Sequence, residues 1–223
     1  TLDFLSGGRL LPAFGVGSEL APEFRATNRQ PAGRGAKSDE MLELLTRLWS
    51  EDNVTFEGKH FQYDRATISP KPVQQPLPLW IGGSSDAAVR RTARFGTGWL
   101  AGLQSPAQVA PVVTKIKAAT AEAGRSIDPD HYGAGFAFRF GSWDEPIVER
   151  SAQGLARLGR GVDVRGTMAV GGADAIIARA REYVDAGVSK FVLRPIADTD
   201  ESIVEQTRRL IGEVLPVVHG WTA

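Results

Sequence analysis

The chain contains no cysteine. That excludes disulfides, thiolate-bound metals, iron–sulfur centres and a cysteine nucleophile. Histidine is nearly as scarce: His60, His131 and His219 are the only three, and they form neither an HxH nor an HExxH spacing. No metal-ligating motif is therefore present. An excess of one charge is missing too, since 26 Lys and Arg balance 26 Asp and Glu, and no overall field argues for nucleic acid or an anionic membrane as partner. Arg90, Arg91 and Arg94 crowd one predicted helix, but no aromatic side chains are interleaved to stack bases, so they are expected to be solvated or paired with carboxylates. No apolar run reaches a membrane-spanning length, and the opening TLDFLSGGRL lacks the basic and apolar regions of a signal peptide. A soluble cytoplasmic protein is the expectation that these absences leave.

What is present is an ordinary globular composition, 223 residues with 42% hydrophobic and 23% charged, enough for one large core or two small ones. The most informative stretch is Pro78–Gly98, PLWIGGSSDAAVRRTARFGTG. Leu79, Trp80 and Ile81 suit a buried parallel strand, and Gly82 and Gly83 allow a sharp turn with close approach of a ligand to the backbone. Ser84 or Ser85 is placed to cap the helix that follows, whose free N–H groups and dipole favour a phosphate or carboxylate. The same pattern also suits a plain tight turn between strand and helix. Asp86 opens that helix as a partner for its dipole.

Along the chain, strands and helices alternate. Leu10–Val16, Leu79–Ile81, Gly98–Ala101, Tyr132–Phe140 and Phe191–Leu193 read as five parallel strands, and Gly133 and Gly135 suggest crowding on one face of the fourth. Helices are predicted over Lys37–Ser50, from Ser105-Pro106 onward, over Asp144–Leu158 and Ala173–Ala186, and after Thr199. Val54–Tyr63 reads as a small hairpin, and Pro70, Pro72, Pro76 and Pro78 force an extended connection. The pattern allows an open doubly wound sheet or part of an eight-stranded barrel. No GxGxxG follows the first strand and no acidic residue sits where a dinucleotide ribose needs one, which weakens the first option.

Three blocks carry a resemblance: LDFLSGGRLLPAFGVGS, then the run from RGAKSDEMLELLTRLW through PLPLWIGGSSDAAVRRTARFGTGW, then GGADAIIARAREYVDAGVSKFVLRP. Together they resemble the luciferase-like monooxygenases, which use a flavin or the deazaflavin F420. The resemblance implies an α/β fold, a (β/α)8 TIM barrel of the bacterial-luciferase type, represented from about its fourth strand onward. Roughly a hundred residues bearing three βα units would then lie upstream. Residues 1–223 are expected to form one partial barrel domain, with the hairpin of 54–63 as an excursion.

The same resemblance implies a set of cofactor contacts. Gly82, Gly83, Ser84 and Ser85 match the turn near the cofactor phosphate, and Gly15-Val16-Gly17-Ser18 matches the end of the preceding barrel strand. Gly15 and Gly17 are thus cofactor-side positions, although Gly17 stands where some relatives carry a phosphate-binding arginine. Trp99 is expected either at the border of the cofactor pocket or in the barrel wall. Arg194, directly after Phe191-Val192-Leu193, is a candidate partner for a phosphate, a glutamylated F420 tail or a substrate anion, or for a neighbouring carboxylate. No acid–base pair stands out, so no catalytic residue is assigned. The implied activity is a flavin- or F420-dependent oxidoreductase, a monooxygenase using reduced FMN and O2 on a small organic substrate, in a homo-oligomer. Two alternatives remain: a non-catalytic flavin-binding protein, and an unrelated phosphate-binding barrel with Lys190 as a Schiff-base lysine.

Overall fold

The structure is a computed structural model describing residues 1–18, 21–158 and 161–221. Backbone contacts divide the chain into two compact units, residues 1–99 with 119–127, and residues 100–118 with 128–223.

The first unit begins with α1 (Leu2–Ser6), closed by Gly7 in the left-handed conformation at φ 67°. Next come β1 (Ala13–Phe14), α2 (Pro22–Ala26), α3 (Arg34–Ser50), the hairpin strands β2 (Val54–Glu57) and β3 (Gln62–Ala66), then β4 (Trp80–Gly82) and α4 (Asp86–Phe95). β1 and β4 run parallel, with Ala13 opposite Trp80 and Phe14 opposite Ile81. β5 (Gly98–Leu100) contains the division between the units. Its approach is set by Thr97, whose N–H donates to the Leu79 carbonyl at 2.8 Å and whose hydroxyl accepts from the Leu79 N–H at 2.8 Å.

Helix α3 is covered on two sides. Leu42 packs with Leu79 and Ile81 of the parallel strands and with Phe14, Trp49 and Phe95, whereas Leu44 and Leu48 pack with Val54 and Phe56 of the hairpin. A single predicted stripe through Met41, Leu44, Leu45 and Leu48 misses Leu42, which is completely buried. Each such fully buried aliphatic side chain contributes about 1.5–3 kcal/mol. The hairpin turn is held by Glu40 of α3, whose carboxylate accepts from the N–H groups of Lys59, His60 and Phe61 at 3.1, 2.7 and 3.3 Å. Those bonds hold the Glu40 carboxyl below the usual carboxylate range. Asp3 does similar work on the proline-rich connection, accepting from Val73 N–H at 2.7 Å and from both the backbone and side-chain amides of Gln74. Its carboxyl is likewise lowered, chiefly by the Gln74 backbone bond.

In the second unit β6 (Tyr132–Phe140) lies between two parallel partners. Its first half, Gly133–Phe138, pairs with β8 (Lys190–Pro195), and its last four residues, Ala137–Phe140, pair with β7 (Met168–Gly171). α5 (Pro106–Glu122) starts in this unit; α6 (Pro146–Arg157), α7 (Ala173–Asp185) and α8 (Asp200–Arg209) follow β6, β7 and β8 in turn. The chain continues from α8 through a π-helical stretch at Leu210–Val214 into α9 (Leu215–Val218). Phe136 stacks on Tyr183 with ring centroids 5.6 Å apart, and Phe191 meets both rings edge-on. The buried Tyr183 hydroxyl donates to the Gln104 carbonyl at 2.8 Å, and desolvation pushes its pKa up to about 12. The expected crowding at Gly135 is present: a Cβ there would stand 2.5 Å from the Val192 carbonyl oxygen.

Several boundaries differ from expectation. β1 is only two residues long, because Gly15 and Gly17 leave the strand at once. The hairpin runs to Ala66 rather than Tyr63, and β8 extends to Pro195. β7 and α2 were not anticipated: a four-residue strand and a five-residue helix are too short for a period to register.

Candidate functional site

The register of β1 with β4 places two turns side by side in the first unit. With Phe14 opposite Ile81, Gly15–Ser18 and Gly82–Ser85 leave the carboxyl ends of neighbouring parallel strands. In the second turn Gly83 has φ 105°, and a Cβ there would stand 3.2 Å from that of Ala88, so the position takes glycine for conformation and for space. Of the two candidate caps, Ser85 is the one used: its hydroxyl oxygen accepts from the Ala88 N–H at 3.2 Å. Gly83, Ser84 and Ser85 are exposed and Gly82 is half-buried. The first-turn N–H groups of α4 have no partner within the helix and point the positive end of its dipole into this turn.

Trp99 is completely buried. Its indole N–H donates to the Gly83 carbonyl at 2.8 Å. It therefore stands behind the turn and fixes it, as a wall residue with a polar handle.

Beyond Gly15 and Val16 a cleft of about 410 Å3 opens, lined also by Phe24, Arg29, Arg34, Lys37 and His60. Gly17, at φ 69°, turns the chain beside the Phe24 ring. No Asp or Glu lines this cleft among the described residues. The cause lies in where the nearby carboxylates go. Asp39 binds the buried Arg91 of α4 at 2.6 Å, Glu40 binds the hairpin turn, and Glu43 binds Arg94 at 2.6 Å. Arg29, Arg34, Lys37 and His60 line the cleft, and the Arg34 Nη1 donates to the Pro31 carbonyl at 3.0 Å. Sequence reasoning did not single out Arg29, Arg34, Lys37 and His60. A signal existed: Arg25–Ser38 carries four cations and no acid. Of the three arginines grouped on α4, Arg91 is buried and paired rather than solvated.

Arg194 belongs to the second unit, exposed on β8 in register with Ala137. It lines a separate cleft of about 320 Å3 with Thr167, Leu103, Leu155 and Leu158, again without a carboxylate among the described lining residues. The other strand arginine, Arg139, is committed to structure: it bonds Glu145 at 2.7 and 2.9 Å and the Ile196 carbonyl at 3.0 Å, and holds the Glu145 carboxyl below its ordinary range. Lys190 lies at the amino end of β8, exposed and ion-paired with Asp130. A Schiff-base lysine needs the opposite, a desolvated amine. Among the described residues no helix is long and apolar enough to cross a membrane.

Residues 1–150 match the model of the luciferase-like monooxygenase family. The chain belongs to this family. The luciferase-like chain is 33% identical over 127 residues to an uncharacterised protein of Mycobacterium tuberculosis, an alignment covering 56% of this chain and 43% of that protein. It is 30% identical over 138 residues to an F420-dependent glucose-6-phosphate dehydrogenase of Nakamurella multipartita, covering 57% and 38%. The alignments thus span less than half the length of these relatives. Among solved structures it is similar to an F420-dependent secondary alcohol dehydrogenase, with TM-score 0.82 and 19% identity over 97% of this chain and 72% of that one. It also resembles the monooxygenase RslO1 of Streptomyces bottropensis, with TM-score 0.76 and 20% identity over 96% and 70%. The fold of the luciferase-like chain is accordingly the α/β, mainly parallel, TIM-barrel type of these enzymes.

Proposed function

We propose that this luciferase-like chain binds the phosphate-bearing end of F420 or FMN at the carboxyl ends of β1 and β4, and acts as an oxidoreductase on a small organic substrate. The observation that carries the reading is the cation-lined, carboxylate-free cleft opening from Gly15 beside the first turn of α4. Its chemistry fits a phosphate: exposed hydroxyls at Ser84 and Ser85, glycine backbone at Gly82 and Gly83, and the guanidinium and ammonium of Arg34 and Lys37. These cations answer the absence of an arginine at Gly17, because they approach from α3 rather than from the strand end. Trp99 positions the turn through its bond to the Gly83 carbonyl.

When bound, the reduced cofactor supplies the hydride or, as a flavin, the reaction with O2. The chain's own part is to anchor the phosphate, orient the ring system across the strand ends and exclude water. Monooxygenation is the finer reading, supported by the likeness to RslO1 and to an EDTA monooxygenase. Arg194 is assigned the anionic group of a substrate or cofactor in the cleft of its own unit.

Titration of FMN, riboflavin and F420 tests the site. The double variant Ser84→Ala, Ser85→Ala is expected to weaken FMN more than riboflavin, by about 1–3 kcal/mol if both hydroxyls bond charge. Equal weakening places the phosphate elsewhere, and failure of the unaltered chain to bind FMN or F420 overturns the reading. Binding without turnover of reduced cofactor under O2 favours a flavin-binding role over catalysis.

A further inference from the structure

The cleft of about 320 Å3 in the second unit is apolar apart from one charge. Leu103, Ala137, Leu155, Leu158 and Ile196 line it, and among the described lining residues Arg194 is the one cation, with no Asp or Glu. Part of this wall belongs to the packed interior: Ile196 is buried with Val148, Met168 and Val170, and Ala137 and Leu155 pack against that cluster. Leu158 does not. It stands 65% exposed where α6 ends, and an exposed leucine on a cleft wall gains stability when an apolar body covers it.

The isolation of Arg194 has a structural cause. Side chains alternate along β8, and Phe191 is turned to the rings of Phe136 and Tyr183, so Arg194 stands on the opposite face of the strand. Its register partner on β6 there is the small Ala137. The carboxylates of neighbouring segments have other partners: Glu145 holds Arg139 at 2.7 Å, Asp198 holds Arg150 at 3.3 Å, and Asp163 accepts from the Gly166 N–H at 2.9 Å. The Thr167 hydroxyl, also on the cleft wall, donates to the Asp163 and Val164 carbonyls at 3.0 and 3.1 Å. The exposed guanidinium of Arg194 is in no ion pair among the described residues.

One guanidinium presents paired N–H donors that match a carboxylate, whereas a phosphate dianion brings a second charge that no described lining residue answers. The leucines beside it call for a hydrocarbon body. We propose that the substrate of this oxidoreductase is a small aliphatic carboxylic acid, its carboxylate paired with Arg194 and its hydrocarbon lying against Leu103, Leu155 and Leu158. The inference rests on the assignment of Arg194 to a substrate or cofactor anion made above; it chooses the substrate and names its class. A volume near the lower end of the range for small-molecule pockets keeps the acid short. The exposure of Arg194 makes the ion pair sensitive to salt.

The test uses the full chain, titrated by calorimetry at low and high salt with butanoate, hexanoate, octanoate, hexan-1-ol and hexyl phosphate. Affinity is expected to rise about two- to fourfold per added methylene along the acids. Hexanoate should bind about tenfold more tightly than hexan-1-ol at low salt, with the ratio shrinking as salt rises. In Arg194→Gln that ratio falls to about one and in Arg194→Lys part of it remains, while Leu158→Ser weakens acid and alcohol alike. With cofactor present, hexanoate should accelerate cofactor turnover. An unchanged unfolding midpoint shows that each variant is folded; should the glutamine variant fail to fold, the lysine variant and the acid-to-alcohol ratio of the unaltered chain carry the test. Equal affinity for acid and alcohol in the unaltered chain, or no gain with chain length, overturns the proposal. Tighter binding of hexyl phosphate than of hexanoate overturns the choice of a carboxylate, and an acid that binds without raising turnover is not the substrate. If Arg194→Gln weakens FMN or F420 as much as hexanoate, Arg194 belongs to the cofactor and the proposal falls. Hexanoate binding as expected with neither cofactor bound overturns the cofactor reading instead and leaves the acid site standing.

Discussion

Replacing Trp99 by phenylalanine examines the link between packing and the candidate site at one atom pair. The indole N–H reaches the Gly83 carbonyl at 2.8 Å from a side chain with no exposed surface. Phenylalanine keeps an aromatic ring in place but removes that donor, a loss of about 1 kcal/mol. It also leaves roughly 40 Å2 of buried apolar surface unmatched, about 1 kcal/mol more, and a partly unfilled volume brings the total to about 2–3 kcal/mol. With a urea m-value of about 2 kcal/mol/M, the midpoint should fall by about 1 M with the slope unchanged. Freed from its tether, the Gly82–Ser85 turn should hold phosphate less well, so FMN affinity should drop more than riboflavin affinity. A midpoint shift of less than about 0.2 M, with the ratio of FMN to riboflavin affinity unaltered, would refute the assignment of Trp99 as the residue that holds the turn.

Two further outcomes follow from other contacts. Gly135→Ala sets a methyl against the Val192 carbonyl where β6 and β8 pair, and should destabilise by about 1–3 kcal/mol, read by urea unfolding; a neutral substitution would show that the two strands are not so closely apposed. Asp3 and Glu40 have folded carboxyl pKa values below the ordinary range, held there mainly by backbone N–H donors. Their contribution is complete above the unfolded value of about 4 and is lost as pH falls below it, because the unfolded chain binds the protons first. Stability measured against pH should therefore decline below about pH 4 in the unaltered chain, and less steeply in the double variant Asp3→Asn, Glu40→Gln. Parallel curves would remove these carboxylates from the account.

Much of the site was legible in the sequence because it is local. Strand, glycine pair, serine cap and helix occupy consecutive positions from Leu79 to Phe95, and each follows from backbone preferences within a few residues. The choice of Ser85 over Ser84 as cap, and of Gly83 as the position with positive φ, needed the structure. The basic cleft was not legible in the same way. Its cations were visible between Arg25 and Lys37, but so were Asp39, Glu40 and Glu43 just beyond them. Whether those acids cancel the cations depends on where α3 sits against α4 and the hairpin.

The sequence by itself determined the alternation of strands and helices, the turn at the Gly82-Gly83 pair and the membership of a barrel family. Those depend on periodicity and on residues that are neighbours in the chain. Tertiary structure alone decided that Trp99 supports the turn and that Arg139 and Lys190 are spent on Glu145 and Asp130. The physical reason is that a charge or a hydrogen-bond donor acquires its role from its partner, and here those partners lie from 6 residues away in the case of Arg139 to 60 in the case of Lys190.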